Sequence, residues 1–158
     1  MPTLTLRPAT LQDEERLLCW RNEPSTRSAS LTSGEISVEE HHRWFAGKLV
    51  DPDCALLIIE HGGQPIGQLR LDRLAPDLAE VSIGLAPKAR GRGLGRGALQ
   101  LAASKAHELL GVTMIRALVK RGNDASLRTF RAAGFRVVGE DGAVLELLRR
   151  AEPHAPGK

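Results

Sequence analysis

The sequence predicts one mixed α+β domain, and three features carry that prediction. Hydrophobic spacing switches along the chain in the order strand, two helices, antiparallel meander, helix, strand, helix, hairpin. A glycine-rich loop, Arg90-Gly-Arg-Gly-Leu-Gly95, runs directly from a strand into a helix. Near the C-terminus Asp141-Gly142 separates two short apolar runs, which is a strong hairpin signal. A regular doubly wound fold would alternate strand and helix throughout, and this order does not.

Taken from the start, Leu4-Thr-Leu-Arg-Pro8 alternates as a short strand and stops at a proline. Thr10 and Asp13 have capping-box spacing and open a helix running to about Asn22. The small and polar residues 23–36 read as a mobile loop. Ser37 with Glu40 repeats the capping signal, and Trp44, Phe45 and Leu49 give the second helix its apolar stripe. Cys54–His61 and Gln64–Leu74 are strands joined at Gly62-Gly63, and Pro76-Asp77 turns into a third strand, Leu78–Ala86. A helix follows from about Leu94 to Leu110, closed by Gly111. Thr113–Val119 is β-branched and apolar, hence a buried strand; Asn123–Ala133 is a short helix closed by Gly134; Phe135–Glu140 and Ala143–Arg149 form the hairpin. One domain is expected over residues 1–150, with a disordered tail over 151–158.

With 42% hydrophobic and 26% charged residues the chain has the makings of a soluble core. A net charge of +3 is too mild to imply nucleic-acid binding, and with no tyrosine and few aromatics, stacking platforms for bases are scarce. Lys88, Arg90, Arg92 and Arg96 do cluster in a stretch without acids, which suits a phosphate-bearing small molecule. The two cysteines, Cys19 and Cys54, make neither a disulfide framework nor a metal-ligand spacing, and Cys54 reads as a small core residue. No metal set, Ser-His-Asp arrangement or Walker loop is present. The N-terminus lacks the look of a secretory signal, and no apolar run approaches the roughly 20 residues that span a bilayer. A cytoplasmic protein without membrane or nucleic-acid partners is expected.

Glycine within a helix costs about 1 kcal/mol relative to alanine, so Gly91, Gly93, Gly95 and Gly97 around one helix start need a reason. Close backbone approach supplies it: without Cβ atoms, successive N–H groups can face a pyrophosphate at the helix N-terminus, helped by the helix dipole and the flanking arginines. The spacing Gly91-x-Gly93-x-Gly95 breaks the dinucleotide pattern GxGxxG, and no acid follows about 20 residues on.

Arg90-Gly91-Arg92-Gly93-Leu94-Gly95 resembles the CoA-pyrophosphate motif Q/R-x-x-G-x-G/A of the GNAT superfamily at every defined position. Asn123, Ser126, Phe130 and Gly134-Phe135 follow at the family's usual distance. The resemblance spans nearly the whole chain. It implies a central mixed, mostly antiparallel sheet flanked by about four helices, and an N-acetyltransferase that moves acetyl from acetyl-CoA directly to a primary amine. Residue by residue, it implies that the strand at Ser82, Ile83, Gly84 and Leu85 offers backbone groups to the acetyl and pantetheine. Arg90, Gly91, Arg92, Gly93, Leu94, Gly95 and Arg96 would hold the pyrophosphate. Asn123 would contact pantetheine or position water, and Ser126, Phe130 and Arg131 would line the rest of the CoA arm.

Glu80 matches the position of the family's base, with a surface carboxylate as the plain alternative. The family's usual general acid, a tyrosine, is replaced by Phe130, so water or the Ser126 hydroxyl would protonate the departing thiolate. The same substitution opens a second possibility, a non-catalytic acyl-CoA-binding module. In the N-terminal half, Trp20-Arg-Asn-Glu-Pro24, Ile36-Ser-Val-Glu-Glu-His-His-Arg-Trp-Phe45 and Gly67-Gln-Leu-Arg-Leu-Asp72 resemble two GNAT branches. One acetylates the amino group of nucleotide-linked amino sugars, as in the pseudaminic acid pathway, and the other N-terminal amines such as those of ribosomal proteins. The sugar branch looks closer. Arg21, Asn22, His41 and Arg70 are the substrate-binding candidates this implies. Each has a structural alternative: Arg21 and Asn22 as a helix end, His41 as a packed or solvated side chain, Arg70 as the ion-pair partner of Asp72. Either a monomer or a homodimer is compatible with the sequence.

Overall fold

A computed structural model describes residues 2–29, 31 and 34–153. Its strands are β1 (Leu4–Pro8), β2 (Cys54–His61), β3 (Gln64–Ala75), β4 (Leu78–Leu85), β5 (Met114–Lys120), β6 (Arg136–Asp141) and β7 (Val144–Arg150), and its helices are α1 (Glu14–Asn22), α2 (Pro24–Ala29), α3 (Val38–Val50), α4 (Leu94–Leu110) and α5 (Asp124–Ala132). The strands form one sheet in the order β1-β2-β3-β4-β5-β7-β6. All neighbours are antiparallel except β4 and β5, which run parallel because α4 crosses back between them. This is the mixed, mostly antiparallel α+β sheet that the sequence predicts.

The period-2 alternation of the strands divides the apolar residues between two cores. Leu57, Ile59, Leu69, Leu71, Ala79 and Val81 face Ala98, Leu99, Ala102, Ala103 and Ala106 of α4, and α5 adds Phe130. Leu56 and Ile58 turn the other way, onto Leu17 of α1 and Phe45 of α3. The continuous run Leu56-Leu57-Ile58-Ile59 therefore serves both faces of β2, as expected of a strand covered on both sides. Each large side chain so buried contributes roughly 1.5–3 kcal/mol.

The first capping box holds. A short 3-10 turn, Leu11–Asp13, precedes α1, and Asp13 accepts the N–H of Thr10 at 2.8 Å. Asp13 is only 1% exposed, and its charge is met by Arg7 at 2.9 and 3.0 Å and Arg16 at 2.7 Å. Ser37 caps α3, accepting from the N–H of Glu40 at 3.1 Å.

The segment read as a loop over 23–36 contains a helix, α2, so among the described residues the sheet carries five α-helices where about four were expected. Its start is built from Glu23-Pro-Ser-Thr26. Proline presets the first helical φ, and the Glu23 carboxylate accepts from the Thr26 N–H at 3.0 Å, the Thr26 hydroxyl at 3.3 Å and the Ser25 hydroxyl. Those bonds, that from Ser25 first, pull the Glu23 pKa down to about 2. Part of that segment, residues 30, 32 and 33, lies outside the described residues. At the other end of the chain, Ala151 is buried and donates its N–H to Thr113 O at 2.8 Å, so the ordered chain extends past Arg150. The rest of the expected tail, from residue 154, lies outside the described residues. Among those described, no helix is long and apolar enough to cross a membrane.

Candidate active site

The parallel pair β4–β5 is joined only at its start, where Leu78, Ala79 and Glu80 face Met114, Ile115 and Arg116. Beyond that point the ladder stops, and Val81–Leu85 and Ala117–Lys120 border a gap. Asp77 O accepts N–H groups from Thr113 (3.3 Å) and Met114 (3.2 Å) on the β5 side, whereas Ala86 donates to Ile66 O (2.8 Å) on the β3 side. Strand alternation between these two fixed points turns the backbone groups of Val81, Ile83 and Leu85 into the gap and those of Ser82 and Gly84 into the β3 ladder. Of the expected run Ser82–Leu85, Ile83 and Leu85 are therefore the residues whose N–H groups face the opening.

The glycine loop closes the upper end of this gap. Gly91 and Gly93 have φ of 72° and 76°, a conformation that side chains disfavour, and Gly93 forms the N-cap of α4. No side chain caps α4 and no acid stands in its first turn, so its first N–H groups are left for an anion. Arg92 and Arg96 are exposed on either side of Leu94. The other two glycines also allow close packing. A Cβ on Gly95 would meet Thr129 Cγ2 at 3.2 Å, and one on Gly97 would meet Leu4 Cδ2 at 2.7 Å. Their missing Cβ atoms seat the start of α4 closely on α5 and β1, which leaves the Gly95 N–H at the helix start.

Arg90 is engaged elsewhere. Its Nε donates to Leu85 O at 3.2 Å, Nη2 to Thr26 Oγ1 at 2.8 Å and Nη1 to Ser25 Oγ, with the Glu23 carboxylate at 3.6 Å. Lys120, at the end of β5, donates to Ser28 O at 3.2 Å. Helix α2 is thus fastened to both lips of the gap. No sequence pattern marked Ser25, Thr26 or Lys120 for this position, because the fastening joins segments more than 60 residues apart.

On the other lip, Asn123 caps α5, its Oδ1 accepting from the Ser126 N–H at 3.2 Å, and Ser126 is half-buried behind it. Phe130 departs from its expected place along the CoA arm. It is 5% exposed and packs edge-to-face on Phe135, with centroids 5.0 Å apart. With no phenol oxygen to satisfy, the ring buries as core. Arg131 is exposed on the outer side of α5.

Glu80 stands at the foot of the gap, beside Asp72 of β3 and Arg116 of β5. Arg116 donates to Glu80 Oε1 from Nη2 (2.7 Å) and Nε (3.1 Å) and to Glu146 from Nη1 (3.3 Å). Hydrogen bonding to Glu80 raises the Arg116 pKa. Asp72 joins Lys48 and Arg70, both at 2.7 Å; burial pushes its carboxyl up, but the two cations together hold it below the usual range. Arg70 pairs with Asp72 along β3 itself, lies 5.3 Å above the Trp44 ring and reaches Ser82 Oγ at 3.4 Å. Arg70 and Ser82 therefore share the face of β3 and β4 next to the opening.

The other acceptor candidates divide. Asn22 exchanges two 2.8 Å hydrogen bonds with the backbone of Ile36, clamping the end of α1 to the start of α3, which is a structural role. Arg21, beside it, is half-buried, and burial followed by the nearby Arg27 charge lowers its pKa. His41 is 3% exposed against Trp44 and Phe45, and burial lowers its pKa. Among the described residues no group of His, Cys, Asp and Glu is arranged to hold a metal ion.

A sheet parted between two parallel strands, with a glycine-built and uncapped helix start at its mouth, sets backbone N–H donors where an anion can bind. The acetyltransferase (GNAT) domain model matches residues 3–136, and the chain belongs to that family. Solved structures agree in fold. Spermidine N-acetyltransferase from Vibrio cholerae, in complex with CoA and spermine, superposes with a TM-score of 0.85 at 20% identity, over 94% of this chain and 95% of that one. Aminoglycoside acetyltransferase AAC(6')-Ib with coenzyme A and kanamycin gives 0.81 at 17%, over 94% and 95%. Campylobacter jejuni N-acetyltransferase PseH gives 0.73 at 18%, over 96% and 100%. No curated protein matches the sequence. The chain is an acetyltransferase of the GNAT type.

Proposed function

We propose that the chain transfers acetyl from acetyl-CoA directly to the primary amine of a nucleotide-linked amino sugar. The single observation that carries the cofactor half is the gap between β4 and β5 opening onto the uncapped start of α4. A pyrophosphate fits there by charge and by hydrogen bonding: the Gly93–Gly95 backbone would donate, with Arg92 and Arg96 adding charge. Acetyl-CoA supplies the activated thioester. The N–H groups of Ile83 and Leu85 face the side on which the acyl oxygen would lie and would hold its developing negative charge. An attacking amine must be neutral, although an alkylammonium has a pKa near about 10.4, so a carboxylate or a water leading to one must take its proton. Glu80 is the carboxylate at the foot of the gap, and Arg116 holds it in place with two hydrogen bonds. The thiol, with a pKa near about 8.5, is a tolerable leaving group and draws its proton from water or the Ser126 hydroxyl.

The acceptor half rests on the Trp20–Pro24 and Glu39–Phe45 segments, which look closest to the amino-sugar branch. N-terminal or other small-molecule amines are the alternative acceptors. A second reading, an acyl-CoA-binding module without turnover, is favoured by one observation, the burial of Phe130 where a tyrosine would supply the acid. Acceptor-dependent CoA release decides between them. Turnover with an amine, lowered about 10²–10⁴-fold in Glu80→Gln, supports the enzyme with Glu80 as base. Unchanged turnover in that variant removes Glu80 from the role, and tight CoA binding without turnover on any amine supports the binding module.

A further inference from the structure

Arg90 stands at the first position of the glycine motif, yet its guanidinium is committed to protein. Its Nε donates to Leu85 O at 3.2 Å, Nη2 to Thr26 Oγ1 at 2.8 Å and Nη1 to Ser25 Oγ. The Glu23 carboxylate, 3.6 Å from Nη2, offsets the charge that an anion at Arg90 would need. Arg92 and Arg96, by contrast, are exposed beside the uncapped start of α4. The second fastening of α2 fixes where the helix lies. Lys120, at the end of β5, donates to Ser28 O at 3.2 Å. Along β5, Met114, Arg116, Leu118 and Lys120 are half-buried and the residues between them buried, so Lys120 shares a face with Arg116, which holds Glu80. Helix α2 therefore crosses the gap on the face that carries Glu80, and an amine moving toward Glu80 meets α2 as a wall. Leu85, whose carbonyl Arg90 also grips, is a residue whose N–H faces the gap. One planar fork thus ties the wall to the strand that would hold the acyl group.

We infer that Arg90 is a positioning residue for the acceptor: it fixes α2 against β4 so that the amine is held at the acetyl group, and it leaves the pyrophosphate to the α4 start, Arg92 and Arg96. Arginine suits this task because its fork reaches several acceptors in one plane, which the point charge of lysine does not. The inference rests on the gap being the acetyl-transfer site, and it moves Arg90 from the donor half of that site to the acceptor half.

The test compares Arg90→Gln, Arg90→Lys, Thr26→Val and the double variant Arg92→Gln/Arg96→Gln with the wild type, each as the whole chain. Acetyl-CoA affinity is measured by calorimetry, and the hold on α2 by the rate at which trypsin cuts after Arg27. Transfer is followed as CoA release with UDP-glucosamine and with spermidine as probe amines. Both Arg90 variants are expected to bind acetyl-CoA within about threefold of the wild type and to be cut after Arg27 at least about tenfold faster. In both, KM for the amine that turns over rises at least about tenfold, by more than kcat falls. Thr26→Val moves cleavage and KM in the same direction and adds little on top of Arg90→Gln, because the two act through one contact. The double variant does the reverse, losing acetyl-CoA affinity at least about tenfold while α2 is cut at the wild-type rate. Three results overturn the inference: acetyl-CoA affinity lost in Arg90→Gln as in the double variant, full rescue by Arg90→Lys, or unchanged cleavage after Arg27. CoA release with neither amine, alongside the expected affinities and cleavage, would count against the proposed acetyl transfer while upholding the fastening of α2 by Arg90.

Discussion

Asp13 shows what one residue can fix. Its carboxylate serves Thr10, Arg7 and Arg16 while buried, so replacing it leaves the Arg7 guanidinium with Glu60 at 2.9 Å and the Pro8 carbonyl at 3.2 Å. Asp13→Asn is expected to destabilise the fold by about 2–4 kcal/mol, measured by denaturant unfolding. The hydrogen bonds from Arg7 hold the Asp13 carboxyl below its ordinary 3.8. A lowered folded pKa gives stability that is complete above the unfolded value and is lost as pH falls through the folded one. The wild type should therefore lose stability in acid more steeply than Asp13→Asn, and parallel acid titrations of the two would contradict this. His41 acts in a different window. Its folded pKa lies below the ordinary 6.5, so the unfolded chain binds the proton first and stability declines as pH drops below about 6.5. His41→Phe should flatten that decline. At this scale the sequence was legible where a pattern is local: the Thr10–Asp13 and Ser37–Glu40 caps lie three residues apart and both form. It was not legible where a side chain finds its partner through the fold. Nothing near Arg90 in sequence says that Ser25 and Thr26 take up its guanidinium, and nothing near Glu80 announces Arg116.

At the scale of elements, close approach decides which glycines matter. A Cβ on Gly67 would lie 2.4 Å from the Gly84 carbonyl oxygen, and backbone cannot step aside without parting β3 from β4. Gly67→Ala should cost more than about 2 kcal/mol and weaken turnover, because it disturbs the strand that frames the gap. A Cβ on Gly97 also comes too close, at 2.7 Å, but to the end of the Leu4 side chain, which can turn. There the gain of about 1 kcal/mol in helix propensity offsets the shift, so Gly97→Ala should change stability by less than about 1 kcal/mol. Thermal melts of the two variants check both statements, and equal losses would contradict the packing argument. The element boundaries of β2 and α4 were readable from periodicity and from Gly111. Helix α2 was not, since a six-residue helix of Pro-Ser-Thr-Arg-Ser-Ala has no apolar stripe to read; its signal was the Glu23-Pro24 start alone.

Across the whole molecule, a strand order of β1-β2-β3-β4-β5-β7-β6 with a single parallel pair places the opening at the centre of the sheet. Helix α4 both makes that pairing parallel and brings its own N-terminus to the opening, so the fold and the anion site have one cause. The glycine motif was visible in sequence because backbone geometry forces glycine at φ of 72° and 76°. The acceptor side was less legible, because α1–α3 assemble it from side chains whose roles depend on contacts between segments: Asn22 became a clamp and Phe130 became core. The central claim is that the start of α4 binds the pyrophosphate of acetyl-CoA. Its most direct test is calorimetric titration of acetyl-CoA into the wild type and Gly93→Asp, in which a carboxylate occupies the anion's place. Saturable binding by the wild type, weakened at least about tenfold in a variant of unchanged circular dichroism, is the expected result. Equal affinity in the two proteins, or no binding by the wild type, would contradict the account.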